Sequence, residues 1–100
     1  AEYTFIPGYP VTSNDERAVA TFRQTLESVF QDGLVAQEVD PTMGAEDFSF
    51  YGQHVPACFF WLGLAAHGQR DYPNLHAPKF DFNDDALEPG MRAMISLAMA

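Results

Sequence analysis

Basic side chains are scarce in this chain: five lysines and arginines stand against fourteen aspartates and glutamates, a net charge of −9. A surface of that sign repels nucleic-acid phosphates and anionic lipid headgroups, so neither nucleic acid nor a membrane is expected as a partner. Long apolar runs are missing too. The longest, Val55 to Ala66, is shorter than the ~20 residues a membrane-spanning helix needs. A single cysteine, Cys58, excludes an internal disulfide framework and fits a reducing cytoplasm. No signal-peptide pattern is visible, and the opening Ala1-Glu2 in place of methionine leads to the expectation that something upstream has been removed. What is there suffices for a folded body. Of 100 residues 47% are hydrophobic, enough for the core of one domain or part of one.

Glu2 to Ile6 alternate polar and apolar, with Tyr3 and Phe5 suited to a pleated surface, and Pro7-Gly8 ends them; the pattern predicts a short strand. Ser13 and Glu16 have the spacing of a capping box. Val19, Phe22, Leu26, Val29 and Phe30 then recur at three- and four-residue steps, which predicts an amphipathic helix with Gly33 as its C-cap. Leu34 to Val39 reads as a second strand closed by Asp40-Pro41. Glu46-Asp47 begins a short helix to about His54, limited by Gly52 and Pro56. The continuous apolar run Cys58 to Leu64 suits a strand buried on both faces. Ala65 to Asn83 reads as a long ordered loop, and Asn83-Asp84-Asp85 caps a final helix carrying Leu87, Met91, Met94, Ile95 and Leu97 to Met99. The expected class is α/β, in the order strand-helix-strand-helix-strand-helix.

Three histidines, His54, His67 and His76, include no pair at the spacing of a two-histidine helical metal motif. His76 is the sharpest candidate, because Asn74-Leu75-His76-Ala77-Pro78 combines turn residues with a proline that fixes the backbone around an imidazole. Taken alone, the stretch favours an exposed loop histidine over a ligand. Glu46 and Asp47 invite an acid-base reading, since neighbouring carboxylates can split their pKa values. Adjacent helical residues do not face each other, however, and carboxylates at a helix start are routine, so the helix-start reading is favoured. Cys58, within an apolar run, reads as a buried inert thiol. Phe59-Phe60-Trp61 reads as core. Asp81, Asp84 and Asp85 lack the glycine and terminal glutamate of a calcium loop.

Read together, three blocks resemble the C-terminal part of the zinc-type amidohydrolases. They are Met43 to Tyr51; Val55-Pro56 with Phe59-Phe60-Trp61-Leu62-Gly63; and Leu75-His76-Ala77-Pro78-Lys79-Phe80-Asp81-Phe82. The branch is that of hippurate hydrolases, N-acyl-amino-acid amidohydrolases and indole-acetyl-amino-acid hydrolases, within the aminoacylase and carboxypeptidase superfamily. Tyr9-Pro10 and Asn14-Asp15 also resemble the return from that family's lid domain. The resemblance implies that residues 1–10 are the last strand of a lid domain and 11–100 the C-terminal portion of a di-metal peptidase catalytic domain.

It further implies that His76 matches the late histidine that completes a centre of two divalent ions, zinc, manganese or similar. Gly44, Ala45 and Glu46 match a loop on the substrate side of the cleft. In that family the ions polarise the amide carbonyl and activate a water, and a glutamate serves as general base. The other ligands and that glutamate belong to earlier motifs that this chain does not contain, and Glu46-Asp47 is not the paired-glutamate segment. The expectation is therefore a C-terminal fragment of an amidohydrolase of N-acyl amino acids, hippurate-like small molecules, inactive by itself and holding no metal stably by itself, with an oligomer open. The alternative is a stand-alone acidic domain that binds a protein partner or self-associates, with a cut sheet leaving apolar surface uncovered.

Overall fold

The first helix begins at an aspartate. Asp15 adopts extended backbone (φ −73°, ψ 135°), and its carboxylate accepts hydrogen bonds from the amides of Arg17 at 2.9 Å and Ala18 at 3.0 Å. Two of the four amide groups that a helix start leaves unpartnered are thereby satisfied. In the computed structural model, which describes residues 1–31 and 37–100, helix α1 accordingly spans Glu16–Val29. The cap is Asp15, two residues beyond the Ser13 expected from the capping-box spacing. The apolar stripe is as expected, and Leu26 on it is only 5% exposed. Helix α1 closes with the Phe30 amide donating to the Leu26 carbonyl at 2.9 Å. Gly33, the expected C-cap, lies outside the described residues.

Two compact units divide the chain, Ala1–Phe59 and Phe60–Ala100. In the first, α1 is followed by a 3-10 helix at Asp47–Gln53, where a short helix was expected. Its Ser49 is buried, and the Ser49 hydroxyl donates to the Glu46 carbonyl. Phe48 sits between Tyr51 and Phe59, with ring centroids 5.7 and 5.2 Å away, and Tyr9 meets Phe50 edge-on at 5.8 Å. In the second unit a 3-10 turn at Asp84–Ala86 leads into helix α2, Leu87–Ala98. Asn83 accepts from the Asp85 amide at 3.1 Å, the expected cap. Pro89 falls in the first turn of α2, where its missing N–H costs no intrahelical bond. Ala86 and Ala93 are buried, and a methyl group added at Gly90 would lie 3.0 Å from Leu62 Cδ2, so the helix and residue 62 approach closely.

The α/β expectation is corrected here: among the described residues there is no β-strand, and the ordered elements are helical. A strand exists only through a neighbour that takes its amide and carbonyl groups, and side-chain alternation says nothing about that neighbour. At Phe59, in the expected Cys58 to Leu64 strand, and at Ala57 just before it, those groups are taken otherwise. The Phe59 amide donates to Asn14 Oδ1 at 2.7 Å and the Phe59 carbonyl accepts from Asn14 Nδ2 at 2.9 Å, while the Asp15 amide donates to the Ala57 carbonyl at 2.9 Å. A side-chain amide thus fills both positions that a neighbouring strand would fill. At Glu2 to Ile6 the alternation has no face to cover, since Tyr3 and Ile6 are more than four-fifths exposed. Of the expected strand Leu34 to Val39, residues 34–36 lie outside the described residues and 37–39 form no strand. Glu38 there pairs with Arg23 of α1 at 3.2 Å, on the surface.

Candidate functional site

Between Ala65 and Asn83 the second unit has neither helix nor strand, the long loop expected from its Gly and Pro content. Its backbone is ordered by turns. The Gln69 amide donates to the Ala66 carbonyl at 2.9 Å, with Gly68 in third position at φ 81°. The Ala77 amide donates to the Asn74 carbonyl at 2.9 Å, with His76 in third position at φ 70°. Positive φ confined to the third residue is the mark of a type II turn, a position that favours glycine. Directly after it, the Phe80 amide donates to the Ala77 carbonyl at 2.9 Å, a second turn with Pro78 in the second position that proline prefers.

His76 is the one non-glycine residue with positive φ among the described residues, and it is exposed. The left-handed region costs an L-residue about 1 kcal/mol or more, although histidine tolerates it better than bulky residues do. Such a residue persists only where its surroundings over-determine it, and such residues gather at functional sites. The Tyr72 hydroxyl donates to the Asp81 carbonyl, the Tyr72 ring meets Phe80 edge-on at 6.3 Å, and Asn83 Nδ2 donates to the Leu64 carbonyl at 2.9 Å. The turn residues were legible in the sequence; the Tyr72 clasp was not, because a tyrosine nine residues from its acceptor leaves no local signal.

Gly44, Ala45 and Glu46 belong to the first unit, His76 to the second. All three are exposed, immediately before the Asp47–Gln53 helix. A methyl group at Gly44 would lie 3.6 Å from Thr42 Oγ1, an ordinary contact, so neither space nor a positive φ requires glycine there. Glu46 is the N-cap residue, in extended backbone (φ −134°, ψ 132°), but its side chain makes no capping hydrogen bond. Its carbonyl does the work instead, accepting from the Ser49 amide at 3.2 Å. The Glu46 carboxylate is therefore not consumed by the helix start. Asp47 lies in the first turn, as expected for a helix-start carboxylate.

The donor set bears directly on a metal centre. Among the described residues no three His, Cys, Asp or Glu side chains are gathered so as to hold a metal ion. His76 is one donor, and the described residues do not by themselves fit a two-ion centre. His54 and His67 are exposed, and Cys58 is half-buried, with burial pushing its thiol above the ordinary cysteine value. No helix among the described residues is long and apolar enough to cross a membrane.

The whole chain, residues 1–100, matches the sequence model of Peptidase family M20/M25/M40, and the chain belongs to that family. It is 33% identical to the IAA-amino acid hydrolase ILR1-like 4 of Arabidopsis thaliana, over 92% of this chain and 21% of that protein. It is 34% identical to Thermostable carboxypeptidase 2 of Saccharolobus solfataricus, over 91% of this chain and 22% of that protein. Against the N-acetyldiaminopimelate deacetylase of Leuconostoc mesenteroides it is 36% identical, over 61% of this chain and 15% of that protein. The motif resemblance drawn from the sequence therefore names the right family. The chain spans about a fifth to a quarter of the length of the curated relatives it matches. No solved structure matches it significantly. Peptidases of this family are generally metal-dependent.

Proposed function

We propose that this chain is the C-terminal portion of a metal-dependent amidohydrolase that cleaves the amide bond of small N-acyl amino acids of the hippurate type. Residues 1–10 end a lid domain and 11–100 belong to the catalytic domain. The observation that carries the reading is His76 held at φ 70° on an exposed turn, a conformation that glycine would adopt at lower cost. A neutral imidazole nitrogen presented from a fixed backbone is a good donor to a divalent ion such as zinc or manganese. His76 is the donor this chain contributes to a two-ion centre, and the remaining donors and the general base come from polypeptide outside it. Gly44, Ala45 and Glu46 line the substrate side, where the Glu46 side chain makes no capping bond and so stays available to a polar group.

By this account the 100-residue chain is inactive in isolation and binds no metal stably, because one donor does not make a site. The lone Cys58 supports work in the reducing cytoplasm. The test is release of benzoate from N-benzoylglycine, together with a panel of other N-acyl amino acids. The full-length protein is expected to turn over at least one of them and the isolated chain none. Turnover by the isolated chain, or a full-length protein that hydrolyses no amide, would overturn the reading.

One observation favours a second reading. Leu87, Met91, Met94 and Ile95 lie along one face of α2 and are all exposed, which suits a non-catalytic acidic domain that binds a protein or self-associates. A natural polypeptide no longer than this chain, found in a stable complex, would support it over the enzyme.

A further inference from the structure

We propose that Tyr72 is a positioning residue for His76, holding the histidine's left-handed backbone by closing the loop Tyr72–Asp81 around it. The inference rests on the reading of His76 as a metal donor. A type II turn with a non-glycine third residue is uphill on its own, and one turn hydrogen bond is a weak restraint. Two turns run in series from Asn74 to Phe80, sharing Ala77, whose amide closes the first and whose carbonyl closes the second. Fixing the far end of the second turn therefore fixes the register of both. Tyr72 makes its two attachments there, its ring edge-on to Phe80 at 6.3 Å and its hydroxyl donating to the Asp81 carbonyl. Outside this clasp, Asn83 ties the loop's exit to its entry at the Leu64 carbonyl, 2.9 Å away. Tyr72 is half-buried while His76 is exposed, so the tyrosine acts through the backbone and leaves the imidazole face free.

The test uses full-length protein carrying Tyr72→Phe, which keeps the ring and deletes the hydroxyl. Amide hydrogen exchange at Ala77 and Phe80 is expected to speed up about tenfold, the effect of one lost hydrogen bond. Cobalt(II) affinity is expected to fall about tenfold, as when the support of a ligand histidine is removed, with a changed cobalt absorption spectrum. Leu75→Pro, which presets the second position of the type II turn, is expected to restore both in the double variant, a rescue that general destabilisation would not allow. Phe80→Leu removes the ring contact, spares the hydroxyl and is expected to give a smaller acceleration of about threefold. Exchange and spectrum unchanged in Tyr72→Phe would overturn the proposal. If His76→Ala instead leaves cobalt binding intact, the donor reading fails, while the exchange arm still decides whether Tyr72 holds the turn.

Discussion

Gly68 and His76 occupy the same place in two turns of the same type, with φ of 81° and 70° and each turn closed by an amide-to-carbonyl bond of 2.9 Å. At the first the chain uses the residue that makes the conformation cheap; at the second it uses one that makes it costly. That contrast within one loop supports the proposal that the His76 side chain serves as a metal donor.

The contrast predicts opposite outcomes for two substitutions. Gly68→Ala forces a Cβ into the left-handed region and is expected to cost about 1 kcal/mol, read by denaturant unfolding. His76→Gly relieves the same strain but adds freedom to the unfolded chain, and the two effects nearly cancel, leaving stability within about 0.5 kcal/mol of the parent. A loss above about 2 kcal/mol for His76→Gly would show that the imidazole packs structurally.

The start of α1 supplies a second prediction. Asp15→Ala removes the acceptor of two amides and is expected to cost about 1 kcal/mol, whereas Ser13→Ala changes stability by only about 0.3 kcal/mol. The reverse order in thermal unfolding would return the cap to Ser13.

Asn14 and Phe59 supply a third. Asn14→Ala leaves the amide and carbonyl of Phe59 without their side-chain partner and is expected to cost about 1 kcal/mol, moderated by solvent access. Asn14→Asp keeps the acceptor for the Phe59 amide but turns an oxygen toward the Phe59 carbonyl, so at neutral pH it is expected to be at least as damaging. An Asn14→Asp variant as stable as the parent would mean that only one of the two bonds matters.

Partial burial raises the Cys58 thiol above its ordinary value because it disfavours the thiolate. The folded state therefore prefers the protonated thiol. This contribution to stability is fully present below the unfolded-state pKa and is lost as pH rises through the higher folded value. Alkylation with iodoacetamide at pH 8.5 is expected to be slower in the folded chain than in denaturant, and Cys58→Ala is expected to flatten the alkaline fall in stability. Equal alkylation rates in the two states would contradict this account.

Local signals carried much of the helical structure and the motif blocks. The spacing of Val19, Phe22, Leu26 and Val29 predicted α1, Asn83 predicted the entry to α2, and the Asn74 to Pro78 stretch predicted turns around His76. Local signals failed where the outcome depends on a distant partner. Alternation in Glu2 to Ile6 and the apolar run from Cys58 named strands, but neither can name a neighbouring strand, and at Phe59 the neighbour is the side chain of Asn14. The cap moved from Ser13 to Asp15 because both residues can accept from helix amides, and only the backbone path decides which one does. The positive φ of His76 was likewise hidden, since Leu-His-Ala carries no glycine to announce it.

The most direct test of the central claim is the metal content of the full-length protein with His76 intact and with His76→Gly, measured by mass spectrometry after removal of free metal. The account predicts about two divalent ions per chain in the parent, and in the variant a clear loss of metal with the folded state unchanged. Equal metal content in the two would contradict it and leave His76 as a strained turn residue without a ligand.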